Sequence, residues 1–370
     1  MAVPPNMNYM PGDPYSDEPM KAQMMPVAFA MTAAILFGAG TPFAKILVGD
    51  VEPIMLAGLL YLGAFIGLCV YALFARITKG TRGSGAPLVR EDIPWLAGST
   101  LSGGIVAPIC LMTGLTLTTG FTASLLLNLE GLATAVIAYL VFKENLGWRL
   151  GAAVVCMTVA GILLSWDSST GAITVSGPLL LLAAGVSWGV DNNLTRKISH
   201  KDSVRISQIK GLVAGGTSVA LALLLGFALP ANLDLVLALL LGSVSYGASL
   251  VFFIQALQGM GASRTGAFFS LGPFVGAAVS VALLRESLSL AVIPAALLML
   301  AGVLAIVYER HSHAHAHDEI THTHLHAHDD QMHGHPHDGP AEGQHVHEHT
   351  HPSVTHDHIH WPDIHHRHEH

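Results

Sequence analysis

Long runs of apolar residues, separated by short polar connections, make up most of the chain. A helix needs about 20 apolar residues to cross the roughly 30 Å hydrocarbon core of a bilayer. Ten segments reach or approach that length, and each is predicted to be a transmembrane helix: residues 26–48, 54–77, 93–116, 121–141, 148–166, 177–194, 204–229, 233–257, 265–284 and 288–307. Gly, Pro, Asp and Asn in the connections are typical of turns between antiparallel helices. The predicted fold class is therefore all-α integral membrane.

Both ends of the chain are polar. Residues 1–25 contain five prolines and mixed charge, which predicts a disordered leader. No basic segment or small-residue cleavage site precedes the first apolar run, so we expect a retained helix there and not a signal peptide. Residues 308–370 hold too little apolar surface to fold alone and are predicted to be a disordered tail.

Basic residues are distributed unevenly among the predicted loops. With the N-terminus placed in the cytoplasm, nearly all loop Lys and Arg residues fall on the inner side, and Arg285 is the exception in an outer loop. This bias is what the positive-inside rule requires. We therefore expect a multi-pass protein of a cell (inner or plasma) membrane, with both termini cytoplasmic.

The chain also repeats itself. Leu129-Glu130-Gly131 through Phe142-Lys143-Glu144 matches Leu271-Gly272-Pro273 through Leu284-Arg285-Glu286 in length and character, and Phe37-Gly38 matches Trp188-Gly189. These matches predict two five-helix repeats, residues 26–166 and 177–307. Because five is odd, the two repeats must be inverted relative to each other in the membrane. Inverted repeats are typical of secondary carriers, which bind substrate near the midplane between the halves.

At these residues the chain resembles the EamA-type branch of the drug/metabolite transporter superfamily. In that family each half carries a Trp-Gly or Phe-Gly near its first helix, and a Pro about thirteen residues before a Glu that closes the fourth. The second half keeps Pro273 and Glu286, whereas the first half has Gly131 in place of the proline. The resemblance covers residues 26–307 and implies transport of a small polar metabolite, often outward, without enzymatic activity.

Composition supports the membrane assignment and narrows the chemistry. Hydrophobic residues make up 51% of the 370 residues and charged residues 11%, against about a quarter charged in soluble domains. No basic face interleaved with aromatics suggests nucleic acid, and no GxxxxGK[ST] loop suggests a nucleotide site. Cys69, Cys110 and Cys156 lie inside apolar segments, where they are expected to be buried thiols and not disulfides.

Glu130 is the first candidate for chemistry, because it lies near the middle of the fourth predicted helix. A charge at the centre of a transmembrane helix costs at least about 2.5–3.5 kcal/mol on insertion scales. A carboxylate there can bind a proton, a cation or an amine, and alternation between proton and substrate is a natural coupling scheme. The competing interpretation is a structural carboxylate bonded to a neighbouring helix.

Further polar candidates lie in the second half and beside Glu130. In the sixth helix, Asp191, Asn192 and Asn193 cannot all face one direction, so at least one must point inward or toward a partner helix. Lys210 can neutralise Asp191 or Glu130, although the sequence slightly favours snorkelling to the headgroups. Weaker candidates, each more often a helix-packing residue than a substrate contact, are Asn128, Tyr246, Tyr61, Ser245 and Gln208.

The tail is dense in histidine, often with one residue between neighbours. Imidazole nitrogen suits Zn, Ni and Co, and His-x-His spacing lets a flexible chain supply several donors to one ion. The expected metal ligands are His311, His313, His315, His317, His322, His324, His326, His328, His345, His347, His349 and His351. No cofactor is required by the pattern, and Zn, Ni or Co is expected to bind in the tail.

Three functions fit these features. The first is a secondary permease or exporter of small polar solutes, with the tail as a metal-binding accessory. The second is a transition-metal exporter that collects ions with the tail and conducts them past Glu130 and Asp191. The third is a membrane-anchored metal sensor or store that transports nothing, against which the ten-helix repeat argues. Expected partners are the lipid bilayer and a small-molecule or metal-ion substrate, and a homodimer is a further candidate state.

Overall fold

The computed structural model of the 370-residue chain describes most of its length. The described residues are 17–79, 86–142, 148–164, 166–167, 172–173, 175–286, 292–307, 311–317, 320–326, 345–351 and 354–360. The chain divides into two compact units, Met1–Glu309 and Arg310–His370. The first unit is helical, and the second contains the histidine-rich tail.

The first half of the helical unit contains seven α-helices in chain order. They are α1 (Asp17–Leu47), α2 (Pro53–Lys79), α3 (Ile93–Ser99), α4 (Ala107–Leu117), α5 (Gly120–Leu126), α6 (Leu129–Phe142) and α7 (Trp148–Leu164). A short 3-10 turn, Arg90–Asp92, precedes α3, and a π-helical segment, Thr100–Val106, joins α3 to α4. We call Thr100–Val106 the first π segment.

The second half repeats this plan with six α-helices. They are α8 (Ser176–Ile198), α9 (Ser203–Leu224), α10 (Asn232–Leu241), α11 (Ser249–Phe269), α12 (Leu271–Leu284) and α13 (Val292–Val307). The second π segment, Gly242–Ala248, joins α10 to α11 at the position that the first π segment has in its own half. Two-residue strands, β1 (Trp166–Asp167) and β2 (Ala172–Ile173), pair in antiparallel fashion between the halves.

Each of the ten predicted segments coincides with helix over most of its described length. Among the described residues, seven helical stretches are long and apolar enough to cross a membrane, and α7 and α13 contain two shorter apolar helices. The remaining crossing is α8, which has 23 residues but carries three polar residues in succession. Large apolar side chains such as Val70, Leu73 and Phe74 are exposed on α2, as expected of a surface solvated by lipid. The all-helical membrane fold is confirmed.

The start of α1 corrects the prediction of a disordered leader. Helix begins at Asp17, nine residues before the predicted start at Pro26. Asp17 and Glu18 are the first two residues of this helix. Pro19 is tolerated in a first turn, because the backbone N–H groups there have no helical partner. Residues 1–16 lie outside the described part.

The seventh predicted segment, 204–229, is also too long. Helix α9 ends at Leu224, and Gly226 adopts a left-handed φ of 88°. The N–H of Gly226 donates to the carbonyl of Leu223, and the N–H of Phe227 donates to that of Ala222. This pair of hydrogen bonds is the Schellman motif, which a glycine at that position favours.

The contacts between helices are symmetric with respect to the two halves. Helix α1 packs on α11 and α12, and its counterpart α8 packs on α4 and α6. Helix α2 packs on its counterpart α9, and α7 packs on α13. When each helix is replaced by its counterpart in the other half, every one of these contacts becomes another contact of the same set or stays the same. Two inverted five-helix repeats are expected to show this symmetry.

Glycines allow the closest of these approaches. A Cβ atom at Gly38 of α1 would overlap the carbonyl oxygen of Gly272 in α12. A Cβ atom at Gly215 of α9 would lie 2.6 Å from the backbone nitrogen of Leu62 in α2. Small residues at such crossings let transmembrane backbones come together and gain van der Waals contact.

The tail unit contains four strands where the sequence predicts disorder. They are β3 (His311–His317), β4 (Ile320–His326), β5 (His345–His351) and β6 (Val354–His360), with β3 paired to β6 and β4 paired to β5, both antiparallel. The physical reason is the period-two alternation of His with other residues, among them Thr, Val and Ile, which suits a pleated strand. The alternation favours strands, whereas the low apolar content of the tail, on which the prediction of disorder is based, favours a disordered chain.

Candidate functional site

The first π segment provides the backbone acceptor at the centre of the fold. The carbonyl oxygen of Gly103 accepts a hydrogen bond from the Tyr61 hydroxyl at 2.7 Å and from the Trp188 indole N–H at 3.0 Å. π-helical turns displace carbonyls from the regular ladder and recur at functional sites. Here the displaced carbonyl fixes two buried aromatic side chains, one from each half of the protein.

A buried ion pair lies beside this segment. Lys210 of α9 is fully buried, and its Nζ contacts Asp191 Oδ1 at 2.6 Å and Oδ2 at 2.7 Å. The Thr195 hydroxyl donates to Asp191 Oδ1 at 2.7 Å. A side chain at Gly103 would overlap the Asp191 carboxylate, so the glycine makes the room for it. The snorkelling favoured for Lys210 is wrong, because a carboxylate on the adjacent helix offers it a partner inside the protein.

Glu130 occupies the start of a helix and not the middle of one. The fourth predicted segment is interrupted at Leu127–Asn128, which places Glu130 in the first turn of α6. Its carboxylate is buried and accepts a hydrogen bond from the Asn192 amide at 3.0 Å. The same amide lies 3.0 Å from the Thr134 hydroxyl. The hydrogen-bond partner of the Glu130 carboxylate within the described part of the chain is therefore a neutral group.

The three consecutive polar residues of α8 are all buried, and each has a separate role. Asp191 binds Lys210 and Asn192 binds Glu130. The Asn193 amide donates to the Thr134 carbonyl at 3.1 Å and to the Gly189 carbonyl at 2.8 Å. Because successive residues of a helix differ by about 100° in direction, this short run connects α8 to both α9 and α6.

Aromatic rings surround Glu130 and Asn192. Phe37 lies at the centre of the cluster, with ring centroids 5.4 Å from Trp188, 5.6 Å from Tyr246 and 5.4 Å from Phe269. Tyr61 meets Tyr246 at 5.4 Å. The Phe37-Gly38 and Trp188-Gly189 repeats thus place their rings against each other, in a T-shaped arrangement that aromatic pairs favour.

These groups line a partly open cavity between the halves, with about 430 Å³ of unfilled space when its opening is included. It is lined by Phe37, Tyr61, Glu130, Trp188, Asp191, Asn192, Ser245, Tyr246, Ser249, Leu250, Phe253 and Phe269. A smaller cavity shares Glu130, Phe37 and Phe269 with the first and continues toward Ser270 and Pro273. Glu130 therefore borders both spaces.

The structure brings most of the sequence candidates together. Glu130, Asp191, Asn192 and Tyr246 line the cavity, and Lys210 lies directly behind Asp191. Asn128 does not line it: its amide donates to the Leu125 carbonyl, within the break between α5 and α6.

Several cavity residues were not selected as candidates from the sequence. Phe37 and Trp188 appear there only as markers of the repeat, and Ser249, Leu250, Phe253 and Phe269 not at all. The position of Phe37 and Trp188 at matching sites in the two repeats is the signal that points to them, because matched residues of inverted repeats meet at the interface.

The proposed metal ligands lie on the tail strands, with one exception. His328 lies outside the described residues, whereas the other eleven histidines fall on β3, β4 and β5. Among the described side chains, which do not include those of the tail, no group of three His, Cys, Asp or Glu residues is arranged to hold a metal ion.

Two halves of five crossings each that line a central cavity are typical of membrane transporters of the inverted-repeat class. The family comparison agrees. The model of the EamA-like transporter family matches residues 24–166 and again residues 175–308, so the chain belongs to that family and carries two EamA domains. The resemblance identified from the sequence is confirmed, and the tail lies outside the matched residues.

Two similar proteins support the assignment. An uncharacterized transporter from Methanothermobacter thermautotrophicus is 31% identical over 292 residues, which covers 75% of this chain and 84% of the relative. A crystal structure with 17% sequence identity superimposes with a TM-score of 0.58, over 77% of this chain and 95% of the other. At 17% identity, the match to the crystal structure shows a shared fold and nothing about function.

The buried ion pair generates a prediction for stability. Lys210→Met should lower the free energy of unfolding in detergent micelles by about 3–5 kcal/mol, because it leaves the Asp191 charge buried without its partner. Adding Asp191→Asn to Lys210→Met should recover most of that loss. Arg205→Met, at an exposed position of the same helix, is the control and should change stability by about 0.5 kcal/mol or less. Equal stability of Lys210→Met and the parent in a denaturant titration would contradict the role assigned to the pair.

Proposed function

We propose that this transporter carries small polar solutes through the cavity between its halves, coupled to protons at Glu130. The observation that carries the proposal is a buried carboxylate without a cationic hydrogen-bond partner among the described residues, in a cavity lined by both halves. Ionisable groups at such depth in a membrane are costly and typically serve a substrate or proton pathway. Binding sites of inverted-repeat carriers occupy this place.

The coupling follows from the cost of the Glu130 charge. A proton or a positively charged group of a solute removes that cost when it binds, and the two compete for one carboxylate. The cavity can then change access when either is bound, whereas the free charge opposes closure around it. Asp191 is excluded from this exchange because Lys210 already holds it.

Proton coupling is tested in proteoliposomes that enclose a pH-sensitive dye. A panel of amines and amino acids is added outside, and the solute-induced change of internal pH is measured for the parent, Glu130→Gln and Glu91→Gln. The parent should move protons with at least one solute. Glu130→Gln should lose that movement because the amide cannot take up a proton.

Glu91 is an exposed residue ahead of α3, so Glu91→Gln is the matched control and should behave as the parent. Solute-dependent proton movement that continues in Glu130→Gln would show that the coupling group is elsewhere.

As a second candidate function we propose that the tail binds divalent transition metals on the cytoplasmic side. The supporting observation is strand register: His311, His313 and His315 of β3 stand opposite His360, His358 and His356 of β6. In the other ladder, His322, His324 and His326 stand opposite His349, His347 and His345. Alternate residues share a face of a strand and directly opposed residues are about 5 Å apart at Cβ. Imidazole is a ligand that Zn, Ni and Co accept. The excess of Lys and Arg in the predicted inner loops supports the cytoplasmic placement.

Metal content measured after dialysis against Zn, Ni or Co tests this second function. The full chain should retain several ions, and a chain that ends at Arg310 should retain almost none. Dialysis below about pH 6 should release the metal, since imidazole must be neutral to bind it and its ordinary pKa is about 6.5. Replacing the β4 histidines by Asn should remove about half of the metal, because one of two ladders is lost. Equal retention by the shortened chain would contradict the proposal.

A further inference from the structure

One of the negative charges that line the cavity has no cationic hydrogen-bond partner among the described residues. Two carboxylates line the space, and one of them, Asp191, is neutralised by Lys210 at 2.6 Å. The other, Glu130, accepts a hydrogen bond from the neutral amide of Asn192. The described lining therefore carries a net negative charge when Glu130 is ionised.

Three hydrogen-bond donors of the cavity wall are already engaged by backbone carbonyls. The Tyr61 hydroxyl and the Trp188 indole N–H both donate to the Gly103 carbonyl. The Ser249 hydroxyl donates to the Ala33 carbonyl at 2.9 Å. An anionic solute would face the Glu130 carboxylate, and the Lys210 ammonium that could attract it is already held by Asp191. The wall thus disfavours an anion.

What the wall offers instead is aromatic surface. Phe37, Trp188, Tyr246 and Phe269 pack around one another, and Tyr61 and Phe253 extend the same lining. The face of an aromatic ring is negative in its quadrupole and attracts ammonium groups, including those that carry alkyl substituents. A small transition-metal ion needs several nitrogen, sulfur or oxygen ligands, whereas an alkylated ammonium group needs one carboxylate and apolar contact.

We propose that the cavity binds a small organic cation, with its charged nitrogen at the Glu130 carboxylate and its alkyl groups against the rings of Phe37, Trp188 and Tyr246. The inference rests on the proposed transport function, because it names the solute class for the same cavity. It goes further in that it excludes anions and uncharged solutes of equal shape.

Equilibrium binding to the purified full-length protein in detergent tests the inference without a transport assay. Choline and tetramethylammonium are the probes, and the uncharged carbon isostere of choline is the matched ligand control. The cations should bind at least about tenfold more tightly than the isostere. Glu130→Gln should weaken cation binding at least about tenfold, whereas Glu130→Asp, which keeps the charge, should retain the preference for cations over the isostere.

A pair of tyrosine variants tests the aromatic wall. Tyr246→Leu should weaken cation binding several-fold, while Tyr71→Leu, at a lipid-exposed position of α2, should leave it unchanged. Equal binding of choline and its isostere, or binding of neither cation by a monodisperse parent protein, would overturn the inference. Proton-coupled flux of an uncharged solute would leave the transport proposal standing while this one falls. Cation binding without proton-coupled flux would support this inference and contradict the transport proposal.

Discussion

The arrangement of the cavity depends on one buried interaction, the ion pair between Asp191 and Lys210. Two charges placed in a membrane interior are stable only when each satisfies the other, and loss of one partner costs several kcal/mol. The pair joins α8 to α9, and the absence of a side chain at Gly103 lets the Asp191 carboxylate pack against the first π segment. By neutralising Asp191, it leaves Glu130 as the lining carboxylate that is available to a solute or a proton.

Interrupted helices supply the rest of the site. Each half carries a π segment in its third crossing and a break in its fourth, at Leu127–Asn128 and at Ser270. Irregular backbone at membrane depth is tolerated where it is buried in protein or lines a cavity. These interruptions place the Gly103 carbonyl and the first turn of α6, with Glu130, beside the same space.

The sequence alone predicts the helices and the repeat, because the length of an apolar run and the matched motifs can be read directly from the chain. It does not reveal the π segments, which depend on neighbours such as Tyr61 and Trp188 donating to a displaced carbonyl. The partner of Lys210 depends on how α8 and α9 rotate against each other, and that rotation is set by packing. Phe253 and Phe269 look like core residues in sequence, since an aromatic ring in an apolar run carries no sign of the face it occupies.

Proton release on cation binding tests the central claim most directly. Choline is added to the full-length protein in weakly buffered detergent solution, and the released protons are counted against bound cation across a range of pH. The account predicts a pH at which about one proton leaves per cation, with no release from Glu130→Gln and undiminished release from Glu91→Gln. Release that persists in Glu130→Gln, or that is absent from the parent protein, would contradict it.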